Sequence, residues 1–335
     1  MSARQNFFTL LRKHYNMNIF CTRKIANAGM NRLKALGHTI SYWDKKEVID
    51  TKTLIAACQD MQALIVADRN RIGEDTLRAC PHLKIIALHS AGYNHVNIDM
   101  AKTLGIMVSN TGSIGCKETA DTAFMLMLAI SKKAFYKHRQ ILKGEWGHFE
   151  PAENLGISLR GKTLGIFGMG NIGMEMARLC QASYGMTVLY HNRHLNHQAE
   201  ESMAVSWVSF EELLAKSDVL SVHAGLNAES DNKFNEQAFA QMKPNAIFIN
   251  TARGGIHDEA ALTAALKAGQ IWGAGLDVTH PEPMQPDNPL LTLPNVAITP
   301  HIGNAIDTAR VAMSVCVAEN IIAAEKGLPL PNRIV

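Results

Sequence analysis

From Met17 onward the chain alternates short apolar runs with helix-length amphipathic stretches. Strand-length runs fall at 18–21, 38–43, 63–66, 83–88 and 106–108, with helical patterns at 27–36, 73–79 and 99–104 between them. Most of these runs are apolar throughout rather than alternating, which is the mark of parallel strands covered on both faces. Residues 17–110 therefore read as one α/β domain. A long helical stretch over 119–142 follows, apolar through Phe124, Met125, Leu126, Met127, Leu128 and Ile130, and leads into a loop with Gly144, Trp146, Gly147 and Pro151. A helix this apolar needs partners on more than one side, either domain core or a second subunit. A second series then runs strand 162–167, helix 172–183, strand 187–190, helix 210–216, strands 218–223 and 246–249, helix 259–268, and strands 271–276 and 296–298. That is about six strands, enough for a complete doubly wound sheet. A closing helix over 304–325 is expected to return to the first domain, which makes the second an insertion.

The opening of the second series carries a distinctive pattern. Strand 162–167 runs into Gly168-Met169-Gly170-Asn171-Ile172-Gly173 and then directly into a helix. In a strand–turn–helix context this glycine spacing suits a dinucleotide. The first glycine allows the tight turn, the second lets a pyrophosphate approach the backbone, and the third lets helix and strand pack closely, while the helix N-terminus offers free amides to the anion. The second domain, 111–301, is thus expected to be a Rossmann dinucleotide-binding domain. The first, 17–110 with 302–335, lacks the fingerprint and is expected to handle the substrate.

With 335 residues, 47% hydrophobic and 19% charged, the chain has room for two domains of ordinary size. Its net charge of +3 is scattered, without the basic block a nucleic acid would need. No apolar run approaches the ~20 residues of a membrane helix. The six cysteines, Cys21, Cys58, Cys80, Cys116, Cys180 and Cys316, are widely spaced and form no C-x-x-C pair. They read as reduced thiols of a cytoplasmic protein, not as disulfides or metal ligands, and no metal site is expected. Residues 1–16 hold Arg4, Arg12, Lys13 and His14 beside Phe7, Phe8, Leu10 and Leu11 with no acid. A short transit peptide has this composition; we read the segment as an extension outside the fold.

Three titratable residues follow strands of the second series, at the sheet edge where open α/β folds bind ligands. Arg253 follows Asn250-Thr251-Ala252, Glu282 follows the strand ending near Asp277, and His301 follows Thr299-Pro300. Each has a structural reading: Arg253 as a capping or salt-bridge residue, Glu282 as a solvated loop acid, His301 as a buried, satisfied histidine. Together they make an acid–base set. A carbonyl that accepts hydride needs a proton donor, for which histidine titrates nearest neutral pH, and a carboxylate partner favours its protonated form. A guanidinium suits the carboxylate of a 2-oxo acid.

With these residues in place, the chain from Met17 to its C-terminus resembles the D-isomer-specific 2-hydroxyacid dehydrogenases, and within them the glyoxylate/hydroxypyruvate and 2-ketogluconate reductases. The resemblance rests on the glycine loop, Asn250-Thr251-Ala252-Arg253-Gly254, Ala274-Gly275-Leu276-Asp277-Val278 followed by Glu282-Pro283, and Pro300-His301-Ile302-Gly303. It implies that Arg253 orients the substrate, His301 exchanges the proton and Glu282 pairs with His301. It implies further that the amides of Ser90-Ala91-Gly92 help hold the substrate carboxylate, that His223, Thr251, Ala252 and Asp277 are among the coenzyme contacts, and that the protein is a homodimer. Asn94, Gly225 and Thr279 depart from the family pattern, which calls for an acid, a proline and an aromatic there. The corepressors related to the family suggest a dinucleotide-sensing scaffold as the rival reading, although long disordered flanks are absent. Formate dehydrogenase is disfavoured because Glu282 stands where that branch has Gln, and phosphoglycerate dehydrogenase because no regulatory domain is expected after the closing helix.

An NAD enzyme of this type carries an acid at the end of the second strand of the dinucleotide domain, where it binds the ribose 2′-OH. Here that place reads His191-Asn192-Arg193-His194. With no acid present and Arg193 available to a 2′-phosphate, Asn192, Arg193 and His194 predict NADP as the preferred coenzyme, with NAD as the alternative.

Overall fold

The structure, a computed structural model, describes residues 16–147 and 151–335. The predicted 1–16 extension thus lies outside the described residues except for Asn16. The chain divides into two units, one comprising the chain up to Ile114 together with Ile306–Val335, the other Gly115–Ala305.

The first unit holds β1 (Asn18–Cys21), α1 (Asn27–Ala35), β2 (Thr39–Tyr42), α2 (Thr51–Cys58), β3 (Ala63–Val66), α3 (Glu74–Ala79), β4 (Ile85–Leu88), α4 (Ile98–Thr103) and β5 (Met107–Ser109). Its strands form one parallel sheet in the order β2-β1-β3-β4-β5. Every residue of β3 and β4 is buried, as their unbroken apolar runs require. Helix α2 is an addition to the sequence reading. Its Asp50 cap accepts from Thr53 N at 3.0 Å, but it buries only Leu54 and Cys58, too thin a stripe to stand out as periodicity. The closing helix, Asp307–Glu325, packs on α1, where a side chain at Gly29 would place its Cβ 1.9 Å from the Ser314 carbonyl oxygen. Ser314 Oγ fastens this crossing by accepting from Gly29 N at 3.1 Å and donating to Ala26 O.

The second unit opens with α5 (Cys116–Ser131) and α6 (Ala134–Leu142), which replace the single helix expected over 119–142. The break has a tertiary cause: Ile157 N donates to Ser131 O at 2.9 Å, and Lys133 takes up the left-handed region at φ 53°. Helix α5 is core, with Ala123, Leu126, Met127 and Ile130 packed among Ile166, Ile247 and Ile249, whereas α6 buries no residue. The rest comprises β6 (Thr163–Phe167), α7 (Asn171–Tyr184), β7 (Thr187–His191), α8 (His197–Ser202), β8 (Val205–Trp207), α9 (Phe210–Lys216), β9 (Val219–Val222), α10 (Glu236–Ala240), β10 (Ile247–Asn250), α11 (Glu259–Lys267), β11 (Gly273–Leu276) and β12 (Val296–Ile298). The sheet has seven parallel strands in the order β8-β7-β6-β9-β10-β11-β12. The seventh, β8, is a three-residue edge strand whose Ser206 and Trp207 are exposed. Strand order reverses between β6 and β9, which makes the ends of these strands the expected ligand crevice. Among the described residues no helix is long and apolar enough to cross a membrane, and no group of His, Cys, Asp or Glu could hold a metal ion.

Candidate active site

The three fingerprint glycines answer to three different constraints. Gly168 has φ 100°, and a Cβ there would lie 2.4 Å from Ala224 N. At Gly173 a Cβ would lie 2.5 Å from Gly168 O, so its absence lets α7 close on β6. At Gly170 nothing lies within 4 Å. The chain itself does not demand glycine there, so the free space suits a ligand approaching the backbone, beside first-turn amides that have no acceptor within the helix. This loop forms one wall of a cleft of about 430 Å³ at the ends of β6, β7 and β9. Asn192 Oδ1 accepts from Met169 N at 2.6 Å and Asn196 Nδ2 donates to Met169 O at 2.6 Å, so the loop is held from the β7 side. Asn196 was not visible as a site residue in the sequence.

The basic stretch after β7 separates into different roles. His191 donates from Nδ1 to Val208 O at 2.9 Å and stacks parallel to Phe167, which makes it part of the wall. Arg193 lines the cleft and its Nε lies 3.1 Å from Glu229 Oε2, both side chains being well exposed. His194 faces a neighbouring hollow with His197 and Trp207. Lys233, which the sequence did not single out, adds a second cation to the cleft wall, 4.4 Å above the Phe210 ring. His223 is hydrogen-bonded through Nε2 to Ser221 Oγ at 2.9 Å, and burial pushes its pKa down to about 3, so it is neutral. His223 Nδ1 and Thr251 Oγ1 are buried with no protein partner among the described residues. His223, with its unmatched Nδ1, lines the same cleft as the open Gly170, which fits the requirements of a bound dinucleotide.

Three successive strand ends present the acid–base residues. After β10, Arg253 begins a turn in extended conformation, and Gly254 passes so close to the chain that a Cβ would lie 2.0 Å from Thr279 O. Arg253 Nη1 donates to Ala252 O at 2.6 Å. Burial lowers the guanidinium pKa, and the charge of Glu282 opposes that shift. His301 Nδ1 donates to Glu282 Oε1 at 2.7 Å, which fixes the ring and leaves Nε2 as the nitrogen outside this pair. Glu282 thus acts on both of the other members, by charge on Arg253 and by hydrogen bond on His301.

His301 itself occupies the left-handed region at φ 57°, which a non-glycine residue adopts only when its surroundings enforce it. Asp277 enforces it. Its buried carboxylate accepts from Thr299 Oγ1 at 2.6 Å, Ile302 N at 2.8 Å and Gly303 N at 2.7 Å, pinning the chain on both sides of His301. Ser90, Ala91 and Gly92 belong to the first unit, after β4, where Ser90 Oγ donates to Gly92 O at 2.8 Å and Asn110 Nδ2 donates to Ala91 O at 2.7 Å.

Comparison with known proteins matches this geometry to a family. The family model for the NAD-binding domain of D-isomer-specific 2-hydroxyacid dehydrogenases matches residues 124–303. The glyoxylate reductase of Thermococcus litoralis is 38% identical over 320 residues, covering 94% of this chain and 96% of that protein. Among solved structures, a protein of Thermus thermophilus superposes with a TM-score of 0.89 at 35% identity, covering 95% of this chain and all of that one. The NADPH-dependent glyoxylate/hydroxypyruvate reductase of Sinorhizobium meliloti, in complex with NADP and malonate, superposes with a TM-score of 0.84 at 30% identity, covering 96% of this chain and 97% of that one. With its two parallel sheets and its nicotinamide dinucleotide fold, the chain belongs to the D-isomer-specific 2-hydroxyacid dehydrogenase family.

Proposed function

We propose that this protein is an NADPH-preferring reductase of small 2-oxo acids, of the glyoxylate, hydroxypyruvate or 2-ketogluconate type, which forms the D-2-hydroxy acid. The observation that carries this reading is the 2.7 Å bond from His301 Nδ1 to Glu282, with Arg253 within reach of the same carboxylate's charge. A reduced nicotinamide dinucleotide held by the glycine loop would supply the hydride. Arg253 binds the substrate carboxylate and carbonyl through its planar fork, and its desolvated position strengthens that contact. His301 gives its Nε2 proton to the carbonyl oxygen, and Glu282 holds the imidazole in the required tautomer and direction. Asp277 holds the turn that carries His301. Because a proton is consumed with the hydride, reduction is favoured at acidic to neutral pH and oxidation at alkaline pH.

The coenzyme preference follows from Arg193 at the end of β7, with Asn192 and His194 beside it and Lys233 across the cleft. A charge-assisted hydrogen bond is worth roughly 1.5–3 kcal/mol, enough for tenfold or greater discrimination. The NADPH dependence of the Sinorhizobium meliloti relative supports the same choice. The six free cysteines suit a reducing compartment, the cytoplasm. Helix α6 buries no residue, and Ile141, Leu142, Trp146 and Leu155 are exposed nearby, so we assign this apolar segment to the interface of a homodimer. Steady-state kinetics with glyoxylate, hydroxypyruvate and 2-ketogluconate, each with NADPH and NADH, tests the proposal. At least one acid should turn over rapidly with a higher kcat/KM for NADPH. A higher value for NADH would remove the coenzyme assignment, and turnover of none would favour a dinucleotide-sensing scaffold.

A further inference from the structure

We propose that His257 is a positioning residue for Arg253: its imidazole holds the Asn250 side-chain amide in the orientation that fixes the backbone from which the Arg253 guanidinium is presented. Asn250 ends β10 and is fully buried. Its Oδ1 accepts from Ala252 N at 2.9 Å, and its Nδ2 donates to Arg253 O at 2.9 Å and to His257 Nδ1 at 3.0 Å. The backbone N–H of Ala252 can only donate and the carbonyl of Arg253 can only accept, so the amide has one workable orientation. That orientation points an N–H at His257, whose Nδ1 must therefore carry a lone pair.

The tautomer follows. A neutral imidazole that accepts at Nδ1 carries its proton on Nε2, and His257 Nε2 is buried with no partner among the described residues. Burial also pushes the pKa of His257 down to about 4, with the charges of Asp258 and His280 acting in opposite directions, so Nδ1 is free to accept near neutral pH. An unpaired buried N–H is costly. An apolar side chain would pack edge-on against Phe248 as the imidazole does, at 5.7 Å between ring centroids, without that cost. What the imidazole adds is an acceptor for the second amide hydrogen of Asn250. Without it one buried amide hydrogen of Asn250 loses its acceptor, and the hold the amide keeps on Ala252 and Arg253 weakens.

The inference rests on the reading of Arg253 as the cation that orients the substrate, and the experiment separates the two. Wild type, His257→Leu, His257→Gln, Arg253→Gln and the His257→Leu/Arg253→Gln double variant are compared for glyoxylate reduction with NADPH, NADPH affinity by fluorescence titration, and thermal midpoint. For loss of one buried hydrogen bond we expect His257→Leu to raise KM for glyoxylate and lower kcat/KM by about 5- to 30-fold, with NADPH affinity unchanged and a thermal midpoint close to wild type, because the unpaired N–H of His257 is exchanged for an unpaired N–H of Asn250. His257→Gln, which regains an acceptor oxygen, should recover much of the loss. The double variant should be no slower than Arg253→Gln, because a positioning residue acts only through the group it positions. Wild-type kinetics in His257→Leu beside a crippled Arg253→Gln would overturn this inference alone, as would additive losses in the double variant or a loss of NADPH affinity. Wild-type kinetics in Arg253→Gln would overturn both readings. Should His257→Leu fail to fold, His257→Gln decides by the same criteria.

Discussion

Replacing Asp277 with Asn tests how the fold aims His301, the proton donor we propose. The Asp277 carboxylate holds three donors around His301, with Oδ1 serving Thr299 Oγ1 and Ile302 N, and Oδ2 serving Gly303 N. An asparagine that keeps its oxygen in the Oδ1 place turns an N–H₂ toward the Gly303 N–H, so one charge-assisted bond is lost and two donors face each other. A hydrogen bond to a charged group is worth about 1.5–3 kcal/mol. The left-handed conformation of His301 costs about 1–2 kcal/mol. The lost bond is comparable to the strain it offsets, so the turn should relax and carry the imidazole off its line. Converted at about 1.36 kcal/mol per tenfold, Asp277→Asn should lower kcat/KM for glyoxylate by roughly 10- to 150-fold, with the larger part in kcat. The assay is NADPH oxidation followed at 340 nm, with a thermal melt to show that the variant is folded. A folded Asp277→Asn enzyme within twofold of wild type would refute the reasoning.

The glycine loop predicts opposite phenotypes for two neighbours. Gly168→Ala, at φ 100° and 2.4 Å from the chain, should destabilise the protein by about 1–3 kcal/mol. Gly170→Ala should leave the thermal midpoint unchanged and weaken NADPH binding in fluorescence titration, and equal affinity for both coenzymes in that variant and wild type would contradict the assigned role. Arg193→Gln should lower kcat/KM for NADPH by about tenfold or more and leave NADH nearly unaffected, as measured by steady-state kinetics. The buried histidines set a pH dependence: burial depresses His89 to about 4, His223 to about 3 and His257 to about 4, against about 6.5 in the unfolded chain. A base with a depressed folded pKa binds its proton first in the unfolded state, so the stability is present above about pH 6.5 and is lost as pH falls toward 4. Each group contributes a slope of up to about 1.4 kcal/mol per pH unit, and thermal melts from pH 7.5 to 5 should show a falling midpoint, whereas a constant midpoint would exclude the neutral, buried state.

Much of this architecture is readable before folding because its signals are local. Strands β3 and β4 are unbroken apolar runs, and the glycines at 168, 170 and 173 follow a strand and open a helix. Arg253, Glu282 and His301 could be picked out because each follows a strand of the same sheet, so the fold alone brings them to one edge. What was missed depends on partners distant in sequence. Ser131 and Ile157 end α5, which nothing in Lys132 and Lys133 foretells, since lysine continues helices well. Strand β8 is three residues with two exposed, so it has no apolar run to read. The task of Asp277 becomes visible only when Thr299, Ile302 and Gly303 close on it, and that of Asn250 only when His257 is beside it.

In the mechanism we propose, His301, held by Glu282, delivers the proton that accompanies hydride transfer. The most direct test is His301→Gln in the glyoxylate and NADPH assay, with NADPH affinity measured on the same preparation. Loss of a general acid predicts a fall of about 10²–10⁴-fold in kcat with NADPH binding retained. A His301→Gln enzyme as fast as wild type would remove His301 from the mechanism.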